Sequence, residues 1–141
     1  MQDHSDLNLS GQRILLAEDG ACNRRLIEHM LGKTGAEVIS VENGQLAVDA
    51  FAQAILSGNP FDLVLMDMEM PILDGYGAAS ALRSRAWDGP VVALTARDDI
   101  GDRTKCLEAG CSDYLRKPFD GPSLIGTIGR NLGLFNAVPM R

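Results

Sequence analysis

A chain of 141 residues has room for one domain of ordinary size and enough length to bury a proper core. Hydrophobic residues make up 45% and charged residues 23%, the profile of a water-soluble globular protein, and 13 Lys+Arg against 19 Asp+Glu leave a net charge of −6. That balance argues against a nucleic-acid surface, which needs clustered Lys and Arg, and no apolar run approaches the roughly 20 residues of a membrane span.

The opening residues have no basic or apolar stretch of the secretory kind, so a cytoplasmic location is expected. Residues 1–11 are polar, end in Ser10-Gly11, and read as a flexible lead-in. The folded domain is expected over 12–135, with a tail over 136–141. The first apolar run is Ile14–Ala17, followed by a helical pattern over 21–33 that sets Cys22, Leu26, Ile27, Met30 and Leu31 on one face. Val38–Val41 comes next, then a helix over 44–57 with Leu46, Ala47, Ala50, Phe51, Ala54 and Ile55 on its apolar face. Leu63–Met66, Val91–Leu94 and Tyr114-Leu115 are the remaining runs, with helices expected over 75–86, 99–109 and 121–133. Gly126, Gly129 and Gly133 weaken the last helix, which should form by packing Leu124, Ile125, Ile128 and Leu132. Short Val/Ile/Leu-rich runs suit strands buried on both faces, and strict alternation with helices implies an α/β fold with a parallel sheet and right-handed crossovers. Cys22, Cys106 and Cys111, an odd count without a C-x-x-C pair, read as reduced thiols.

Ligands of open α/β sheets bind outside the carboxyl ends of the strands, so the residues that close each apolar run carry the information. They are Glu18-Asp19 after the first run, Asp67 after the third, Thr95 after the fourth and Lys117 after the fifth; the second ends in Glu42-Asn43. Each has a plainer reading by itself: Asp19 or Thr95 could cap the following helix, and Lys117 could be a solvated surface residue. Together they place three carboxylates, a hydroxyl and an ammonium on one rim. Clustered carboxylates repel, so at least one pKa should rise unless a cation compensates, and a hard divalent ion suits oxygen donors. A carboxylate can attack phosphorus to give an aspartyl phosphate, a transfer that needs in-line positioning and positive charge more than covalent help. No Walker A, H-E-x-x-H or G-x-S-x-G pattern competes.

The segments ILLAEDGACNRRLI (14–27), FDLVLMDMEMPILDGY (61–76), VVALTAR (91–97) and AGCSDYLRKPF (109–119) resemble the response-regulator receiver domains of two-component phosphorelays. That resemblance implies a five-stranded doubly wound parallel sheet in the order 2-1-3-4-5 with five helices. It makes Asp67 the phospho-acceptor and Glu18 and Asp19 the acidic pair for Mg²⁺ or Mn²⁺, Asp19 the more direct ligand, with the backbone carbonyl of Glu69 as a further one. Thr95 and Lys117 become the phosphoryl-contacting pair. Tyr114 falls at the aromatic switch position, although a half-buried strand aromatic with no signalling role would look the same. Lys117-Pro118 falls where a cis peptide is usual. Glu69 and Arg97 lie at positions flanking the path of the hydrolytic water, and their opposite charges suggest a pair that slows loss of the phosphoryl group.

The resemblance further implies a donor outside the chain, a histidine kinase or a histidine phosphotransfer domain, and no independent enzyme beyond self-catalysed phosphorylation and slow autodephosphorylation. The output would be a rearranged surface of the fourth helix, fifth strand and fifth helix, with a homodimer on phosphorylation as one use of it. A stand-alone regulator and the receiver of a hybrid sensor histidine kinase both fit. A haloacid-dehalogenase-type phosphatase fits less well, because two βα units precede Asp67 and Glu69 stands where that family has Asp. A flavin-binding module would want a Gly/Ser/Thr-rich loop where Glu18-Asp19-Gly20 stands.

Overall fold

The structure is a computed structural model that describes residues 7–96 and 100–134, Ile100 by its backbone alone. Five strands alternate with five helices: β1 (Arg13–Ala17), α1 (Ala21–Gly32), β2 (Glu37–Val41), α2 (Gly44–Leu56), β3 (Leu63–Asp67), α3 (Gly75–Ser84), β4 (Val91–Thr95), α4 (Ile100–Ala109), β5 (Asp113–Arg116) and α5 (Gly121–Asn131). All pairings are parallel and the order is β2-β1-β3-β4-β5, as the resemblance implied.

Alternation along the central strands divides the core into two layers. Leu15, Ala17, Val64, Met66, Val91 and Ala93 face α2, α3 and α4, where Phe51, Ala78, Leu82 and Cys106 meet them. Ile14, Leu16, Leu63, Leu65, Val92 and Leu94 face α1 and α5, where Ile27, Leu31, Leu124 and Ile128 meet them. Burial on both faces holds for β1, β3 and β4 but not for the sheet edges: β2 and β5 are at best half-buried. An edge strand has a neighbour on one side only, so the helix layers end over it.

The apolar helix faces are narrower than the sequence pattern suggested. Ile27 and Leu31 of α1 are buried, whereas Cys22 is exposed and Leu26 is 50% exposed. In α2, Leu46 and Ile55 are also exposed, and Val48 is buried in their place. Consecutive helical residues lie about 100° apart, so a stripe broad enough to include both Leu26 and Ile27 must leave one of them beside the sheet rather than on it. In α5, Asp120 caps the first turn by accepting from the Ser123 amide, and Gly126 and Gly129 lie within the buried face beside Leu124, Ile125 and Ile128.

The lead-in is shorter than its polar composition suggested. Leu9 is fully buried in the α1/α5 layer, and Leu7 packs against the same layer. The Leu9 amide donates to the Thr34 carbonyl at 2.8 Å, and the Gln12 amide to the Leu9 carbonyl at 3.0 Å. Gly35, at φ +88°, completes this docking turn; a Cβ there would meet Ser10 Oγ at 2.5 Å. Residues 1–6 and the tail expected over 136–141 lie outside the described residues. Leu9→Ala should therefore lower the free energy of unfolding by about 3 kcal/mol in urea titrations, the scale of a Leu truncation in a closed core. A loss under about 0.5 kcal/mol would show that residues 7–12 lie outside the cooperative unit.

Candidate functional site

Three strand ends and one loop bring the rim residues together. β1 runs straight into Glu18, whose amide donates to the Val41 carbonyl at 3.1 Å and whose carboxylate is 1% exposed. The Gly20 amide donates to Glu18 Oε2 at 3.2 Å, and Arg24 Nη1 donates to the Glu18 carbonyl at 3.0 Å, so the β1–α1 loop is held from both sides. Asp19 does not cap α1: the N-cap position is Gly20, with no side-chain cap, and Asp19 is exposed. Glu42 is exposed, and Asn43 serves as the cap of α2 through the Leu46 amide.

Asp67 is the last residue of β3 rather than the first beyond it, and it is buried. Its position is fixed from behind. The Met68 amide bonds to Leu94, and the Gly75 amide to Met68. A Cβ on Gly75 would lie 2.4 Å from the Asp67 carbonyl oxygen, so only glycine lets α3 start this close. Oδ1 of Asp67 accepts from the Glu69 amide at 3.1 Å. Lys117 Nζ reaches two carboxylates, Glu18 Oε1 at 2.9 Å and Asp67 Oδ2 at 3.4 Å. Thr95 is the last residue of β4, buried, with its carbonyl accepting from the Lys117 amide at 2.7 Å. The Lys117–Pro118 peptide is cis.

Charge explains the electrostatics of the group. Burial pushes the Asp67 carboxyl up to about 7; the Glu69 amide pulls it back, and the Glu18 charge adds to the rise. Burial also disfavours the Lys117 cation, but its hydrogen bond to Glu18 and the charge of Asp67 outweigh this and raise its pKa overall. Carboxylate oxygens of Glu18, Asp19 and Asp67 lie within 4.8 Å of one another. That donor set is all oxygen, mixes buried and open positions, and fits a hard divalent cation such as Mg²⁺.

Every rim residue singled out in the sequence and described here thus falls at one end of the sheet. Tyr114 is half-buried in β5, opposite Ala93, with the Arg103 guanidinium 5.1 Å from its ring centroid. Glu69 is exposed at the mouth, but Arg97 lies outside the described residues, and so does the pair expected between them. Sequence reasoning passed over Arg24, which braces the loop, and over Tyr76 and Lys105. These two line a cleft of about 410 Å³ with Asp19, Glu69 and Asp74. Lys105 Nζ lies 4.2 Å from the Tyr76 ring centroid. No motif marks that contact, since the two residues sit on different helices.

The fold, with a polar rim at the carboxyl ends of its strands, is that of a receiver domain. The family model for the response regulator receiver domain matches residues 14–129, and the chain belongs to that family. It is 40% identical over 154 residues to Histidine kinase 1 of Arabidopsis thaliana, covering 86% of this chain and 13% of that protein. It is 37% identical over 144 residues to the sensor protein GacS of Pseudomonas syringae pv. syringae, covering 96% of this chain and 15% of that one. The chain therefore spans about one seventh of the length of these relatives. Among solved structures, the receiver domain of sensor histidine kinase PA1611 from Pseudomonas aeruginosa PAO1, which has a magnesium ion coordinated in its active-site cleft, is similar with a TM-score of 0.78 and 40% identity, covering 88% of this chain and 99% of that one. Among the described residues, no helix is long and apolar enough to cross a membrane.

Proposed function

We propose that Asp67 accepts a phosphoryl group from a phosphohistidine on a histidine kinase or a histidine phosphotransfer domain. The observation that carries this reading is a buried strand-end carboxylate, Asp67, that shares an oxygen-donor cluster with Glu18 and Asp19 and is ion-paired to the Lys117 ammonium. An Asp67 carboxylate oxygen attacks phosphorus while the P–N bond to the donor imidazole breaks, its electron pair leaving on nitrogen. Glu18, Asp19 and Asp67, with the Glu69 carbonyl, would hold Mg²⁺ or Mn²⁺, which when bound supplies positive charge to the phosphoryl oxygens. Lys117, already seated against Asp67 and Glu18, would supply a second positive charge to the phosphoryl group. The Thr95 hydroxyl donates to a phosphoryl oxygen, and its movement is passed to Tyr114 and the α4–β5–α5 face as a population shift.

Next to Lys117, a second cleft of about 330 Å³ lined by Leu26, Ile27 and Phe119 gives the donor protein an apolar foothold beside the acceptor, and accounts for the exposure of Leu26. The chain works as a cytoplasmic module, in keeping with its three free cysteines, either within a hybrid sensor histidine kinase or by itself. Its output is a changed binding surface, with self-association after phosphorylation as one outcome. The deciding experiment is incubation with acetyl phosphate or a beryllofluoride salt, with and without Mg²⁺, followed by intact mass and tyrosine fluorescence, with Trp87 as a second emitter. Metal-dependent gain of one phosphoryl unit is expected. No gain and no fluorescence change under any condition would overturn the reading and leave a docking domain that takes no phosphate.

A further inference from the structure

We infer that Lys105 is a positioning residue for the incoming phosphoryl donor, its ammonium held on the Tyr76 ring at the acidic cleft beside the acceptor; the inference rests on Asp67 being that acceptor. Among the described residues, the cleft of about 410 Å³ is lined by three carboxylates, Asp19, Glu69 and Asp74, and by one ammonium, that of Lys105. Phosphoryl donors carry negative charge at neutral pH, so a mouth of this composition repels them. A cation fixed in its wall offsets part of that repulsion over the last ten or so ångströms, where screening by salt is incomplete.

An exposed lysine is ordinarily a mobile, solvated charge. Lys105 differs because its seat is built. Its Nζ lies 4.2 Å from the Tyr76 ring centroid, within range of a cation–π contact. Tyr76 stands in the first turn of α3, one residue after the Gly75 that packs on the Asp67 carbonyl. Its side chain is also tied to α4, through a hydrogen bond to the Cys106 thiol, which is 2% exposed. The ring thus lies between the two helices, and the ammonium of the exposed Lys105 sits over it at the edge of the cleft. Lys117 cannot substitute for it, being committed to Glu18 and Asp67 inside the site.

The test is the rate of phosphorylation by acetyl phosphate, and by phosphoramidate, at saturating Mg²⁺ and at two ionic strengths. Lys105→Gln should lower the second-order rate constant about two- to fivefold at low salt, Lys105→Glu should lower it further, and Lys105→Arg should restore it. The differences should close at high salt, and the thermal midpoint should stay put, which a merely structural role would not produce. Tyr76→Leu, which removes the ring beneath the ammonium, should reproduce part of the loss. Equal rates for wild type and Lys105→Gln at low salt would overturn the inference, as would a loss that persists at high salt or that Lys105→Arg fails to rescue. A wild-type protein that takes no phosphoryl group at all would instead overturn the Asp67 assignment, and this inference with it.

Discussion

Asp67→Asn should be more stable than the wild-type protein and unable to gain a phosphoryl group. In metal-free buffer the wild-type carboxyl titrates at about 7 in the folded state, chiefly because it is buried, against 3.8 for an ordinary aspartate. The folded state therefore holds this proton more tightly than the unfolded chain does, and stability falls as pH rises through that interval. The contribution is intact below about pH 4 and lost in full above about pH 7. An amide of the same shape has no proton to lose and no charge to bury. The variant should exceed wild type by about 2–4 kcal/mol at pH 8, with the gap closing toward pH 4, as measured by urea unfolding in the presence of a chelator. Added Mg²⁺ should stabilise wild type and leave the variant nearly unchanged, because one ligand of the trio has been removed. Identical urea midpoints at pH 8 would contradict the account of Asp67 as a buried, destabilising anion.

Lys117→Met should act in the opposite direction. Lys117 is the cation seen to join Glu18 and Asp67, and both of those carboxylates are almost wholly enclosed. Removing one member of a buried pair leaves an uncompensated charge, typically at a cost of about 3–5 kcal/mol. The loss should be largest at pH 8 and smaller at pH 5, where Asp67 can take up a proton. A divalent ion at the acidic trio should restore much of the stability but not the chemistry. With Mg²⁺ saturating, the phosphorylation rate should still fall by roughly a hundredfold, the scale seen when one preorganised electrostatic group is taken from a transition state. A variant as stable as wild type in metal-free buffer at pH 8 would show that the ammonium contributes nothing to holding the carboxylates together.

Asp67, Thr95 and Lys117 were legible in the sequence because position along a strand is a one-dimensional fact. A buried parallel strand announces itself as an apolar run, and the residue that ends the run must lie on the rim. Even there the ladder runs one residue further than the apolar pattern, since Asp67 and Thr95 still pair within the sheet. The opposite fates of Leu26 and Ile27 could not be read, because periodicity locates a face without saying how wide its neighbour is. Leu9 was hidden for a related reason. Two leucines in a short polar stretch, Leu7 and Leu9, are too few to establish a period, and the burial of Leu9 depends on a turn at Thr34–Gly35 that meets it from elsewhere in the chain. Tyr76 and Lys105 are a contact between two helices, and no local spacing encodes it.

The docking of Leu9 bears on the reach of a tethered donor. Leu9 is pinned ahead of the start of β1, and Glu18 lies just past its end, so the anchor and the acceptor rim sit at opposite poles of a five-residue strand. That strand is about 17 Å long. Any domain joined through this segment begins its tether at the far pole and cannot shorten the path by unwinding residues 7–12 without giving up a core side chain. For such a donor to deliver to its own receiver, the linker ahead of Leu7 must first cover that distance around the outside of the domain. A short linker would make the local concentration of donor at Asp67 vanishingly small and leave transfer to a neighbouring molecule as the faster route.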